Sequence, residues 1–379
     1  MFVAKEYALG QIEDVKDFKD VTFVNNNQTV KSRDWMYRCV VLLLGSLVAC
    51  FIGEVGVRLF PTWHDAFVQD IVYSRLPTDL YQPVGGLNPG EQPRKIRFVH
   101  HPNRQVRFTG LEYDNWVYTD DLGFRTSPTS IAKATADSSV LLLGDSFLFA
   151  GQVSWSDSVV GRLTETLPTV QWWNAGVDGY NTADSLTLWE EHEGVKPDEV
   201  WLFFFWGNDI WENDWASRPT SIPNEELELS RETDQYRFGW MQYSRFLSRL
   251  YAFWAISTDE RFAEKNSQMA QLRDADQLEA ALDSTQVQLE RFTIQCVEAS
   301  TACRVWLIPP MEAFQEPGLS EQVVPALLNH MPVSLDVTDL YPILKEQGGA
   351  SLYFQSDPHW NSMGHAVVAD FIQQTYEQE

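Results

Sequence analysis

The sequence predicts an α/β fold, a parallel sheet covered by helices on both faces. Two features carry that prediction. Short, continuous apolar runs recur, among them VLLLG at 140–144, WLFFF at 201–205 and VWLI at 305–308, and stretches with helical periodicity separate them. Strands buried on both faces read as unbroken apolar runs, and strands that alternate with helices pair in parallel. The chain has 379 residues, 44% of them hydrophobic, enough for one large core and a smaller unit.

Residues 1–36 are a polar tail of mixed charge, either a short amphipathic piece or without structure. YRCVVLLLGSLVACFIGEVGVRLF, residues 37–60, has the length of a membrane-spanning helix. Glu54 and Arg58, four residues apart near its far end, can pair on one face or reach the interface. Lys31, Arg33 and Arg38 lie at its near end, which keeps the tail cytoplasmic and exports the rest. The segment therefore reads as an uncleaved, single-pass signal anchor. A rival reading takes Met36 as the start and LVAC, residues 47–50, as a lipoprotein cleavage site; the apolar FIG after Cys50 fits it poorly.

Residues 61–135 read as an irregular lead-in that packs on the main domain, with short β-type runs KIRFVHH, RQVRF and NWVYT. The main domain, residues 136–379, begins with the VLLLG strand. A helix follows in SDSVVGRLTETL with Ser156 as its cap, then a strand in TVQWWNAG and a helix in TADSLTLWEEHE capped by Thr182. The third strand is EVWLFFFWGND, the long helix is QLEAALDSTQVQLERFTIQCVEA, the fourth strand is RVWLIPP and the fifth lies in VSLDVTDL. SMGHAVVADFIQQTYEQ is the closing helix. An insert at about 212–270 interrupts the alternation, and WMQYSRFLSRLYAFWAI within it reads as an aromatic helix packed on the sheet edge.

A net charge of −25 argues against nucleic acid or an anionic membrane surface as partner, because phosphate contacts need clustered Lys and Arg. The four cysteines make no CxxC pair and no zinc spacing, and neither a metal nor an organic cofactor is expected. Cys296 and Cys303 flank a helix-to-strand turn and are either a disulfide of an exported domain or two buried thiols.

Right-handed crossovers bring the carboxyl ends of all the strands to one edge, where open α/β sheets bind ligands. Four polar motifs fall there: Ser146 after the first strand, Gly179 in NAGVDGYNT after the second, Asn208 in GNDI after the third, and Asp357 and His359 in SDPHWN after the fifth. These residue types suit acyl transfer. A serine hydroxyl needs a base to become a nucleophile, and histidine titrates in the right range. Asp357 can accept from the imidazole Nδ1 and fix its tautomer. The Ser146 and Gly179 backbone N–H groups and the Asn208 amide can donate to an oxyanion, and Gly179 lets its backbone approach the substrate without a Cβ in the way.

Together GDSF, NAGVDG, GND and DPHWN resemble the four blocks of the SGNH, or GDSL-type, hydrolase superfamily, spanning residues 140–376. The resemblance implies a three-layer α/β/α flavodoxin-like fold, with Ser146 as nucleophile, Gly179 and Asn208 as oxyanion donors, and Asp357 and His359 completing a triad. The lead-in DDLGFR and the anchor resemble those of membrane-tethered bacterial members. Many members carry the acid three residues before the histidine. Here that position is Ser356, and the acid stands two before. This D-x-H form is similar to the branch that includes polysaccharide O-acetyltransferases.

The function expected is thus a serine esterase outside the cytoplasm, periplasmic or extracellular, acting on O-acyl or O-acetyl esters, including those of glycans. Three alternatives stand beside it: a polysaccharide O-acetyltransferase with the same triad, a catalytically silent glycan-binding or structural subunit working with a membrane protein partner, and a phospholipase. Trp206, Trp211, Trp215 and Trp360 lie near the motifs and either stack on sugar or fill the core. Asp145 and Asp209 read as ligands of loop amides, and Arg125 as a brace between lead-in and sheet. His365 reads as structural, and Asp178 as either a loop residue or one that faces substrate.

Overall fold

The computed structural model describes residues 27–59, 80–83, 96, 98–110, 112–129, 136–192, 194–213, 244–250, 271–355 and 357–378. Most of the tail, parts of the lead-in, most of the insert including part of its aromatic stretch, Trp215 and Ser356 lie outside the described residues. The chain divides into two units, Met1–Gly56 and Val57–Glu379.

The described residues of the first unit all belong to α1, Asn27–Leu59, whose last turn falls in the second unit. Its stretch Trp35–Leu59, 25 residues, is long and apolar enough to cross a membrane, and none of it is buried. At 1.5 Å per residue it spans about 38 Å, more than the ~30 Å of a hydrocarbon core.

The second unit is built on an eight-stranded sheet. Its strands are β3 (Gln105–Thr109), β4 (Asp114–Thr119), β5 (Arg125–Thr126), β6 (Ser138–Gly144), β7 (Val170–Gly176), β8 (Glu199–Phe205), β9 (Ala302–Ile308) and β10 (Asp336–Asp339). They run in the order β10-β9-β8-β6-β7-β5-β4-β3. The five from β10 to β7 are parallel. Counted along the main domain, their order is 2-1-3-4-5, the flavodoxin-like winding. The lead-in does more than pack on this sheet: β5, β4 and β3 extend it antiparallel beyond β7. A separate pair, β1 (Tyr81–Pro83) and β2 (Phe98–His100), is antiparallel.

Side chains alternate along a strand, and the alternation divides the core in two. Leu141 and Leu143, Leu202 and Phe204, and Val305 and Leu307 face one layer of helices, with Leu186, Leu282, Phe292 and Val323 packed against them. Those four belong to α4 (Thr182–Glu191), α6 (Ala275–Ala299) and α8 (Leu319–Asn329). Val140 and Leu142, Trp201 and Phe203, and Trp306 and Ile308 face the other layer, with Leu163, Leu344 and Val368. These come from α3 (Val159–Thr166), α9 (Tyr341–Gln347) and α10 (Ser362–Tyr376). Three further helices are one turn long: α2 (Ser146–Phe149), α5 (Asp209–Glu212) and α7 (Glu312–Gln315). The fold is a three-layer α/β/α sandwich on a mostly parallel sheet.

Two caps differ from the sequence expectation. A 3-10 turn, Trp155–Asp157, takes up Ser156, and Ser158 caps α3 by accepting from the Gly161 N–H at 3.1 Å. Thr182 is the first helical residue of α4, and the extended Asn181 before it accepts from Asp184 N–H at 2.9 Å. In both cases the last residue with extended backbone is the one whose side chain can reach back to a free N–H. Helices α8 and α9 were not expected from the sequence. Cys296 and Cys303 form a disulfide, Cα–Cα 6.1 Å, joining the end of α6 to β9.

Candidate active site

The parallel register sets Gly144 beside Gly176 on one side and Phe203 on the other. Ser146, Gly179 and Asn208 therefore follow the carboxyl ends of three adjacent strands, β6, β7 and β8. Local chemistry shapes each turn. Asp145 Oδ1 accepts the Phe147 N–H at 2.9 Å and starts α2, and Ala150, with φ 58°, ends it with its N–H on the Ser146 carbonyl at 2.8 Å. The turn lies so close on β7 that a Cβ at Gly176 would stand 2.5 Å from the Phe149 nitrogen. Gly179 has φ +70°, a left-handed backbone natural to glycine, and its Cβ direction is open space. It is exposed between the buried Asp178 and Tyr180.

His359 arrives on the loop between α9 and α10. That loop is closed on itself: Phe354 N–H donates to the His359 carbonyl at 3.0 Å, and Asn361 Nδ2 donates to the carbonyls of Ser351 and Tyr353, each at 2.9 Å. The imidazole packs on the Phe147 ring, centroids 4.9 Å apart.

These elements bring together residues that lie 213 positions apart. His359 Nε2 stands 2.6 Å from Ser146 Oγ, and His359 Nδ1 pairs with Asp357 Oδ1. The same carboxylate oxygen accepts the His359 backbone N–H at 3.1 Å, and the Tyr113 hydroxyl donates to Oδ2 at 3.1 Å. The Gln152 side-chain amide lies 3.1 Å from His359 Nδ1. Asn208 Nδ2 donates to Glu212 Oε2 at 3.4 Å, a long bond that uses one of its two N–H groups.

Burial works against charge on both partners of the His359–Asp357 pair, and their mutual attraction outweighs it. The imidazole is lifted above its ordinary range by Asp357, with Asp145 and Asp178 adding to the field, and the Asp357 carboxyl is held below its own. Burial pushes Asp145 up to about 7 and Asp178 up to about 6. Asp178 accepts the Tyr81 hydroxyl and is turned inward. Asp209 Oδ2 accepts the Phe205 N–H at 3.2 Å, so it and Asp145 serve loop amides as the sequence suggested.

The neighbouring residues sort by burial. Trp206 and Trp360 are wholly buried and belong to the core, while Trp211 is half-buried against it. His365 is buried on the inner face of α10, edge-on to Trp360, with its charged form strongly disfavoured by burial. Arg125 reaches from β5 to the loop after Ser146, where Nη2 donates to the Val153 carbonyl at 2.8 Å. Sequence reasoning missed Tyr113 and Gln152. Gln152 had one signal, its place six residues after Ser146. Tyr113 had none, since only the turn of a distant hairpin brings it to the site.

No protein-family model matches the chain, and no curated protein matches it. Solved structures similar to it include an acetylxylan esterase from Geobacillus stearothermophilus, 16% identical with TM-score 0.35, covering 64% of this chain and 95% of that one. A psychrotrophic esterase from Pseudoalteromonas sp. is 12% identical with TM-score 0.37, over 64% of this chain and 98% of that one. A putative lipolytic protein of the G-D-S-L family from Desulfitobacterium hafniense is 12% identical with TM-score 0.35, over 63% and 99%. The chain resembles GDSL-type hydrolases in the order of its motif residues, and its sheet carries Ser146, Gly179 and Asn208 past the carboxyl ends of adjacent parallel strands.

Proposed function

We propose that the chain is a membrane-anchored serine esterase of the SGNH type, cleaving O-acyl esters, in particular O-acetyl groups on glycans, outside the cytoplasm of a bacterium. The hydrogen-bonded line from Ser146 through His359 to Asp357 carries the reading. His359 Nε2 takes the hydroxyl proton as Ser146 Oγ attacks the ester carbonyl, then gives it to the departing alcohol. Asp357 holds the Nδ1–H tautomer and offsets the imidazolium charge. Water repeats the sequence on the acyl-serine. The Ser146 and Gly179 N–H groups and the second N–H of Asn208 are the oxyanion donors, each worth ~3 kcal/mol of transition-state stabilisation. No step calls for a metal or an organic cofactor.

The Cys296–Cys303 disulfide supports an oxidising compartment, and the basic residues ahead of the apolar stretch of α1 support export of the sheet domain. The D-x-H spacing favours a second reading, in which a glycan hydroxyl rather than water accepts the acyl group.

Ser146→Ala in the full chain should abolish hydrolysis of 4-nitrophenyl acetate and labelling by a fluorophosphonate, with the fold retained. Undiminished turnover would falsify the assignment. Product partition between acetate and acetylated glycan, measured with an added acceptor, separates hydrolysis from transfer.

A further inference from the structure

Asp357 is fixed to its own loop by Oδ1 alone, which takes both the backbone and the ring N–H of His359. With only one residue between acid and base, those two bonds form one small ring. They hold one oxygen of the carboxylate, and a partner on Oδ2 fixes the plane of the group as well. Oδ2 is buried and receives the Tyr113 hydroxyl at 3.1 Å.

Tyr113 comes from the far side of the sheet. It sits at the tip of the β3–β4 hairpin, where Gly110 N–H donates to the Tyr113 carbonyl at 2.9 Å and closes the turn. Its ring lies between Phe108, centroids 6.0 Å apart, and Phe354, 5.6 Å. Next to it, Glu112 Oε1 accepts the Gln355 N–H at 3.3 Å. The hairpin tip therefore grips the loop of residues 354–359 in three ways: ring on ring, carboxylate on amide and hydroxyl on carboxylate.

We propose that Tyr113 is a positioning residue, locking the Asp357 carboxylate toward His359 from the β3–β4 hairpin. This rests on the esterase reading above. The lead-in then contributes to the chemistry of a site whose other residues all lie in the main domain.

Tyr113→Phe keeps the ring and removes only the donor. In the full chain, kcat for 4-nitrophenyl acetate, normalised to fluorophosphonate-titrated sites, should fall about 10-fold with KM little changed, as befits one hydrogen bond to a charged group. The acid limb of kcat/KM should move to lower pH, because a carboxylate no longer held toward the ring lifts the imidazole less. Asp357→Asn should be slow, and the double variant no slower, since the two groups act as one unit. An unchanged kcat and pH midpoint in Tyr113→Phe, or losses that multiply in the double variant, overturn the proposal while the esterase reading stands. A wild-type chain inert to both the ester and the fluorophosphonate overturns both together.

Discussion

The guanidinium of Arg125 holds the carbonyl of Ala150, the left-handed residue that ends the Ser146 turn. It also takes the carbonyls of Phe149 and, at 2.8 Å, Val153, and it is itself 2% exposed. Arg125→Met would leave three carbonyls in a buried loop without this donor. Each costs ~1–3 kcal/mol if nothing replaces it, so the loss should be roughly 3 kcal/mol or more. Urea denaturation checks this. A midpoint within error of the wild type would show that the loop finds other donors.

The pH dependence of turnover is set by His359. As the base it must be neutral, and Asp357 lifts its pKa above the ordinary imidazole range despite burial. Activity should therefore be lost as pH falls through a midpoint higher than the ~6.5 of a free histidine. Asp357→Asn removes the lifting charge and should bring that midpoint down. A kcat/KM profile of the two proteins decides it; a midpoint that does not move would deny Asp357 the role.

Asp145 gives a stability prediction. Burial raises its carboxyl to about 7, although the Phe147 N–H and His359 pull the other way. The folded chain thus holds a proton that the unfolded chain releases. The associated stability is complete below the ordinary carboxylate range and lost as pH rises toward 7. Asp145→Asn keeps an oxygen for the Phe147 N–H and cannot ionise. Its melting temperature should vary less than the wild type's between about pH 4 and about 7. Parallel curves would place the titration elsewhere.

The disulfide closes a loop only 7 residues apart in sequence. Loop closure of that size is worth about 2–3 kcal/mol in the chain-entropy account. Cys296→Ser with Cys303→Ser should lower the melting temperature by several degrees, and a reductant should do the same to the wild type alone. Equal melting with and without reductant would mean the bond adds nothing.

Much of the fold and most of the site are legible in the sequence. Val140 to Gly144 has to be a buried strand because nothing polar interrupts it, and Ser146, Gly179, Asn208 and His359 emerge once strand ends are assigned to one edge. The hidden part depends on pairing between distant segments. The runs around Phe108 and Trp116 read as short strands, but no local pattern says that they add to β7's sheet rather than lie across it. Tyr113 is hidden for the same reason: its role exists only in the register that sets Thr109 opposite Asp114. The caps at Ser158 and Asn181 escape because neighbouring residues could serve equally well, and backbone conformation one or two residues away chooses between them.

The short strand β5 meets β7 through a single pair, Arg125 with Asn174, and β4 and β3 continue outward from it. Without those strands β7 would be the outermost of five, with a row of unsatisfied N–H and C=O groups along its flank. Such a flank is a template for pairing with another copy. A chain trimmed to residue 136 onward should therefore be prone to self-association, and size-exclusion chromatography would detect it. The lead-in strands thus also guard this edge of the sheet against pairing with another copy.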